Sequence, residues 1–232
     1  FKSLREHQAD VQKVSEQVAL RQEGQLITTR RRRGDSHCPR SESYKEQTLQ
    51  VDISSLDGIL AVDQVGGGWQ ALVEPRVTME MLVRAVLPLG LIPEVVPEFR
   101  RITVGGSIQG IAGESTSFDK GFFHDSCESY EIVLGDGTVV LADATNEYSD
   151  LFHALPGTYG TLGILTAATV RLQRASPYVA MEYLPFKLLG TMMKYITSAL
   201  NSDRFSDSPV DFLEGFGYAP DRFLVAQGRF VG

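Results

Sequence analysis

One glycine-rich stretch, Thr103-Val-Gly-Gly-Ser-Ile-Gln-Gly-Ile-Ala-Gly-Glu-Ser115, constrains this protein more than any other segment. It holds four glycines and almost no charge, and it follows the apolar-tending segment from Val95 to Val104. Glycine lets backbone N–H groups turn toward a bound anion and lets a ligand approach without meeting a Cβ. The stretch therefore predicts a diphosphate-binding loop. Serine at position 107 breaks the G-x-G-x-x-G pattern, which favours a loop outside the Rossmann class.

A second glycine cluster, Leu155-Pro-Gly-Thr-Tyr-Gly-Thr-Leu-Gly-Ile-Leu165, repeats glycine at every third position. A flat aromatic ring or a phosphate can lie against such a surface at little steric cost. Taken alone, the cluster is simply a tight helix-to-strand turn. Together with the first stretch it predicts that two loops, some fifty residues apart, converge on one extended ligand.

Composition narrows the class of protein. With 232 residues, the chain is long enough for one large domain or two modest ones. A net charge of −7 argues against general nucleic-acid binding. Two cysteines, Cys38 and Cys127, form no disulfide framework, which favours a reducing compartment. Because the sequence begins with Phe1 rather than methionine, we expect a processed or partial chain, and a lost N-terminal anchor stays open.

Local patterns predict an α+β protein in three parts, with residues 1–24 as a charged helix, 25–175 as the main domain and 176–232 as the incomplete beginning of a second unit. Strand patterns fall at 25–29, 48–53, 59–64, 69–74 and 162–172, and helical patterns at 79–87 and 149–155. Gly135-Asp-Gly-Thr138 marks a hairpin turn. The last part predicts a strand at 178–186, a helix at 188–200 and strands at 211–216 and 223–230.

Five elements in order carry a family resemblance. They are the Thr103-Val-Gly-Gly106 loop, the small-residue stretch after it, the Gly135-Asp-Gly-Thr138 hairpin, Asp150-Leu-Phe-His-Ala154 and Gly157-Thr-Tyr-Gly-Thr-Leu-Gly-Ile-Leu-Thr166. The segment from Val73 to Leu172 resembles the FAD domain of the vanillyl-alcohol-oxidase (PCMH-type) flavoproteins. Shorter motifs, among them Val73-Glu-Pro-Arg-Val-Thr-Met79 and Asp211-Phe-Leu-Glu-Gly215, are similar to the delta(24)-sterol reductase (diminuto-like) branch.

The resemblance implies a two-lobed FAD-binding domain, with lobes at about 25–105 and 106–175, FAD in the groove between them and the start of an α+β cap domain after residue 176. It also implies a set of cofactor-binding residues: Thr103, Val104, Gly105, Gly106, Ser107, Ile108, Gly110, Gly113, Glu114, Ser115, Ser117, Gly160, Gly163 and Ile164. For Ser115 and Ser117, ordinary turn chemistry is an equal alternative.

Arg33-Gly-Asp-Ser-His37 lies where the family has an Arg-Gly-Gly-Gly-His-Ser loop around the diphosphate. An aspartate facing a diphosphate is repulsive, and the arginines of Arg30–Arg33 either offset it or form a solvated basic run. The resemblance favours non-covalent FAD over attachment at His37. His124 and Cys127 lack a second pair of ligands, so no metal site is predicted, and no catalytic residue is assigned.

The leading functional expectation is an FAD-dependent oxidoreductase acting on CH–CH groups, which reduces a carbon–carbon double bond in a sterol side chain, with NADPH as electron donor. Two alternatives stay open: another oxidoreductase of the superfamily (an aldonolactone or 2-hydroxy-acid dehydrogenase), or a truncated domain serving as a structural subunit of a larger assembly. The resemblance implies the endoplasmic reticulum membrane, reached through a segment outside this chain, with mitochondrial or cytoplasmic assembly as alternatives. The expected small-molecule ligand is a sterol-like substrate. A protein partner that covers the incomplete cap is also expected.

Overall fold

The computed structural model describes residues 1–29, 47–201 and 210–232. The helices are α1 (Leu4–Ala19), α2 (Met79–Val86), α3 (Val104–Gln109), α4 (Ser117–Lys120), α5 (Ser149–Ala154) and α6 (Leu189–Asn201). The strands are β1 (Ile27–Thr29), β2 (Leu49–Val51), β3 (Ile59–Val65), β4 (Gly68–Val73), β5 (Leu91–Pro93), β6 (Cys127–Val133), β7 (Val139–Asp143), β8 (Ile164–Arg174), β9 (Tyr178–Phe186), β10 (Phe212–Ala219) and β11 (Arg222–Val231). The predicted α+β class is confirmed.

Helix α1 begins at a capping box, in which Ser3 and Glu6 satisfy each other's backbone N–H groups. Its three buried valines, Val11, Val14 and Val18, follow helical spacing and form one apolar stripe. The prediction that this helix runs to Gly24 is wrong, because it ends at Ala19.

The largest sheet is antiparallel and runs in the order β3-β4-β8-β6-β7, with β5 also pairing with β8. Strand β8 is its centre: Val73 of β4 pairs with Ala168, and Tyr130 of β6 pairs with the same residue. Strands from both sides of residue 105 therefore hydrogen-bond to one strand, so the lobe boundary predicted there does not separate two sheets. The strand order depends on pairing between residues that are far apart in sequence, and local sequence patterns do not reveal such pairing.

Outside this sheet lies a separate parallel pair formed by β1 and β2, in which Thr28 pairs with Gln50. The valine stripe of α1 packs in one buried cluster with Val51 of β2 and with Val133 and Ile164 of the large sheet. Helix α1 thus contributes side chains to the only core cluster, among the described residues, that joins the two sheets.

The C-terminal part forms a third sheet in the order β10-β11-β9, with α6 against one face. Gly215 of β10 faces Met192 and Ile196 of this helix. Among the described residues, one backbone hydrogen bond joins this unit to the main domain, from the N–H of Leu213 to the carbonyl of Ser115 (3.0 Å). The boundary predicted at residue 175 falls between β8 and β9, where one sheet ends and the next begins.

Candidate functional site

The glycine-rich stretch at 103–115 begins with a helix, α3, and the prediction of a loop there is wrong. Thr103 is its N-cap, and its Oγ1 accepts a hydrogen bond from the N–H of Gly106 at 3.1 Å. Val104 and Ile108 are fully buried on the side of the short helix that faces the main core. Capping and burial outweigh the poor helix propensity of two adjacent glycines.

Backbone donors at the start of α3 are bonded within the protein. The N–H of Val104 donates to the carbonyl of Val77 (2.8 Å), and the N–H of Gly105 to that of Pro75 (2.9 Å). The N–H of Ser107 donates to the carbonyl of Thr103 (2.8 Å). These donors, together with that of Gly106, are not turned toward a ligand as the loop hypothesis expected. The assignment of these residues to a cofactor site stays a prediction.

Two of the predicted site glycines have packing reasons to lack a side chain. A Cβ on Gly105 would lie 2.7 Å from the Cβ of Pro75, and one on Gly163 would lie 2.5 Å from Cγ2 of Ile132. By contrast, Gly160 has a left-handed backbone (φ 86°), and its Cβ would meet nothing closer than 4.0 Å. Among these three, Gly160 alone leaves open space beside its backbone.

The two glycine-rich segments lie against each other, as two loops that share one ligand would, and their convergence on a ligand stays a prediction. Oε1 of Gln109, the last residue of α3, accepts hydrogen bonds from the N–H of Gly160 (2.8 Å) and from Oγ1 of Thr158 (3.0 Å). The N–H of Gly157 donates to the carbonyl of Ile108 (3.3 Å). Gln109 was not among the predicted site residues, since a single glutamine carries no motif.

Backbone strain is concentrated where the segments meet. Ile111 (φ 51°) and Tyr159 (φ 54°) are the non-glycine residues with positive φ in the described part of the protein. Each such conformation costs about 1–3 kcal/mol and clusters at ligand-binding sites. Both side chains are exposed, so core packing does not explain the strain.

The hydroxyl of Ser107 supplies a second sign of a ligand. This side chain is fully buried, and across the described ranges its Oγ has no hydrogen-bond partner. A buried hydroxyl without a partner is costly unless a ligand or ordered water satisfies it. The unpartnered hydroxyl, the strained segments and the open backbone at Gly160 are together consistent with a site for an extended nucleotide cofactor such as FAD.

The remaining predicted residues follow α3. Gly110 donates its N–H to the carbonyl of Gly106, and a Cβ on Gly113 would lie 3.1 Å from the ring of Phe122. The Oγ of Ser117 accepts from the N–H of Glu114 at 2.8 Å, which is the turn chemistry that the sequence left open. The side chain of Ile164 belongs to the cluster beneath α1.

Three carboxylates meet where the C-terminal sheet approaches this segment. Oxygens of Glu98, Glu114 and Glu214 lie within 4.8 Å of one another. Burial, followed by hydrogen bonding and repulsion from Glu114, raises the pKa of Glu214 to about 7. Ionisation of Glu214 is therefore disfavoured at the junction between β10 and the glycine-rich stretch.

A buried ionic network lies beside α1. Oε1 of Glu74, which is fully buried, is 2.7 Å from Nζ of Lys2 and 2.7 Å from Nδ1 of His7. Nε2 of His7 lies 3.0 Å from Oε1 of Glu131 on β6. Burial lowers the pKa of His7, but bonds and charge from Glu131 and Glu74 outweigh it and raise the pKa to about 9. No sequence pattern signalled this network, because the partners of His7 are 67 and 124 residues away.

Other candidates from the sequence receive less support. Cys127 is buried, its thiol donates to the carbonyl of Phe123, and burial raises its pKa to about 12. The Arg30–His37 segment and Cys38 lie outside the described residues. In the described ranges, no helix has the length and hydropathy that crossing a membrane requires.

Comparison with known proteins places this geometry in a family. Residues 6–143 match a family described as "FAD binding domain". The chain is 36% identical over 235 residues to Delta(24)-sterol reductase of Arabidopsis thaliana, covering 99% of this chain and 42% of that protein. It is 36% identical over 188 residues to the human Delta(24)-sterol reductase, covering 80% of this chain and 34% of that protein.

A more distant relative is Cytokinin dehydrogenase 7 of Oryza sativa subsp. japonica, 29% identical over 187 residues, with 79% of this chain and 35% of the relative covered. The chain spans about two fifths of the length of the plant sterol reductase that it matches. The family match covers more than half of the chain and includes α3 and the β6–β7 hairpin. The chain therefore belongs to the PCMH-type FAD binding domain family.

Proposed function

We propose that this chain is the FAD-binding part of an oxidoreductase of the delta(24)-sterol reductase kind, which reduces a carbon–carbon double bond in a sterol side chain, with NADPH as electron donor. The observation that carries the proposal is the 36% identity to the Arabidopsis reductase, which extends over 99% of this chain. The contact between the two glycine-rich segments supports it, because it forms a strained, partly open surface at the residues for which the resemblance implies cofactor binding.

Several residues would hold FAD. The buried hydroxyl of Ser107 offers a hydrogen bond that nothing else in the described residues takes up. Gln109 positions the backbone at Gly160, where the missing side chain leaves room for a flat group. When bound, FAD supplies hydride-transfer chemistry, and the protein contributes orientation and exclusion of water.

The C-terminal sheet is suited to an apolar substrate. Tyr183 of β9 is exposed on the face opposite α6. The same face carries Met181 and Phe216, both substantially exposed. We propose that a sterol-like substrate, or a protein partner, covers this face, because exposed apolar surface of this kind marks a binding site.

The test is anaerobic reduction of the flavin-loaded protein by NADPH, followed by mixing with a sterol whose side chain holds a double bond. We expect the flavin absorbance to bleach and then return as the reduced sterol forms. Bleaching without reduction of the sterol would reject the substrate while keeping the oxidoreductase. For cellular location, the resemblance supports the endoplasmic reticulum membrane, which fractionation of the native protein tests.

A further inference from the structure

Helix α1 links the two sheets that precede the C-terminal unit. Its valine stripe shares a buried cluster with Val51 of β2 and Val133 of β6. Polar contacts add to this packing: Oε1 of Gln17 accepts from the N–H of Asp52 (2.9 Å), and Oγ of Ser15 donates to the carbonyl of Gly137 (2.6 Å). The β1–β2 pair is thus attached to the large sheet through α1.

The other end of α1 is attached electrostatically. Nζ of Lys2 lies 2.8 Å from Asp10 and 2.7 Å from Glu74, whose other oxygen accepts the N–H of Gly58 (2.6 Å). A fully buried carboxylate is stable only when donors and cations surround it. The cations that contact Glu74 are Lys2 and His7, and both lie at the N-terminal end of the α1 segment.

The contacts of His7 suit a ring that carries two protons. Nδ1 faces the carboxylate of Glu74 and Nε2 faces that of Glu131, and ionised carboxylates only accept hydrogen bonds. Thr166 on β8 donates to the same oxygen of Glu131. Loss of one proton from the ring would leave one of the two carboxylates without its hydrogen-bond donor. It would also remove the positive charge that lies between Glu74 and Glu131.

Solvent has a route to this ring. His7 and Glu131 line a cavity of about 160 Å³ between α1 and the sheet, with Leu4 and Leu141 on its apolar sides. The space is large enough for water molecules, so the imidazole can exchange its proton without unfolding of the domain.

The network is one residue away from the proposed cofactor site. Glu74 is followed by Pro75, whose carbonyl accepts the N–H of Gly105 at the start of α3. The ring of Pro75 packs so closely on Gly105 that no Cβ fits between them. A shift of Glu74 therefore moves the residue against which α3 begins.

We propose that α1 is an electrostatic clasp, in which the imidazolium of His7 between Glu74 and Glu131 holds the β1–β2 pair and the start of α3 in the arrangement that binds the cofactor. The proposal rests on the proposed FAD binding. If the closed arrangement falls to about a tenth of the molecules, the apparent Kd for FAD rises about tenfold.

The experiment compares the whole protein with two variants, His7→Gln and Arg5→Gln. Both remove one positive charge from α1, but Arg5 is exposed. Hydrogen exchange of the amides in α1, β1 and β2 is measured without ligand, and the Kd for FAD by fluorescence titration at pH 7.5. We expect His7→Gln to accelerate exchange in all three elements and to raise the Kd about tenfold, with less than a twofold change for Arg5→Gln.

A pH series separates the clasp from general destabilisation. The raised pKa of His7 means that its contribution is complete below pH 6.5 and is lost as pH rises through about 9. The difference in Kd between the native protein and His7→Gln should therefore vanish above pH 9, since titration of the flavin affects both proteins equally. A difference that persists unchanged to pH 10, or no difference at pH 7.5, overturns the proposal.

The two proposals fail in different ways. If the native protein takes up no FAD, the proposed function fails, and the exchange of β1 and β2 still decides whether His7 holds α1. If FAD binds but exchange and Kd are the same in His7→Gln and Arg5→Gln, the clasp fails alone. If His7→Gln does not fold, the native protein alone decides. Its amide exchange should accelerate reversibly as pH passes about 9, by more than the intrinsic exchange rate does. This acceleration supports the clasp, and its absence overturns it.

Discussion

The side-chain oxygen of Gln109 lies 2.8 Å from the backbone nitrogen of Gly160 and ties together two segments that are 51 residues apart. This contact fixes the last turn of α3 against the turn that leads into β8. Both partners sit beside the strained residues Ile111 and Tyr159. One amide side chain that belongs to no motif therefore contributes to holding the proposed cofactor surface together, beside the backbone bond from Gly157 to Ile108.

Replacing that amide tests its role. Gln109→Leu removes the acceptor at similar volume, and we expect the Kd for FAD to rise about twofold to tenfold, because one lost hydrogen bond is worth about 0.5–1.5 kcal/mol. Flavin titration measures this. Gln64→Leu, at an exposed position of β3, should leave the Kd unchanged. Equal affinities for the native protein and Gln109→Leu would show that the contact is irrelevant to the cofactor.

Ser107 yields a prediction in which stability and affinity move in opposite directions. Its buried Oγ lacks a partner among the described residues, so Ser107→Ala should stabilise the ligand-free protein by up to about 1 kcal/mol. The same change should weaken FAD binding about tenfold, because the hydroxyl is then missing from the complex. Urea unfolding and flavin titration measure the two effects. A loss of stability together with unchanged affinity would assign Ser107 to internal packing.

Gly105 tests whether glycine here serves packing. Gly105→Ala places a Cβ 2.7 Å from Pro75 and should destabilise the protein by about 1–3 kcal/mol. Gly190→Ala, in α6 with nothing within 4 Å, should instead stabilise it by about 0.5 kcal/mol. Chemical denaturation compares them. An unchanged free energy of unfolding for Gly105→Ala would show that the contact with Pro75 does not constrain α3.

The carboxylates at the junction predict a pH dependence. Because the pKa of Glu214 is raised from 4.5 to about 7, its contribution to stability is complete below pH 4.5 and is lost as pH rises through 7. Glu214→Gln removes a carboxylate whose ionisation is opposed by burial and by its acidic neighbours, and it should raise Tm by about 2–4 °C at pH 8, with a smaller gain at pH 5.5. Glu147→Gln, at an exposed position, is the control. Equal shifts at both pH values would contradict ionisation of Glu214 as the cause.

Local chemistry explains which elements the sequence predicted well. The helical pattern predicted at 79–87 is confirmed as α2, and Thr78 caps it, with its side chain accepting from the N–H of Met81. The Asp-Gly pair places Gly137 at φ 90° in the turn between β6 and β7. These elements were predictable because short-range sequence determines caps and hairpin turns.

Tertiary contacts explain the failures. The sequence favoured a loop at 103–115, yet packing against Pro75 and burial of Val104 and Ile108 stabilise α3. The ion pairs of His7 and the bond of Gln109 join residues that are distant in sequence, and neither residue type is diagnostic. Resemblance located the two segments of the candidate site, whereas their contacts required the three-dimensional arrangement.

The most direct test of the account is the visible absorption spectrum of the purified protein after incubation with FAD and removal of unbound flavin, repeated after acid precipitation. We expect the two visible bands of a bound flavin, with the colour released into the supernatant, which indicates non-covalent FAD. A colourless protein that takes up no added FAD would contradict the proposed cofactor site while leaving the fold intact. Colour that stays with the precipitate would contradict non-covalent binding.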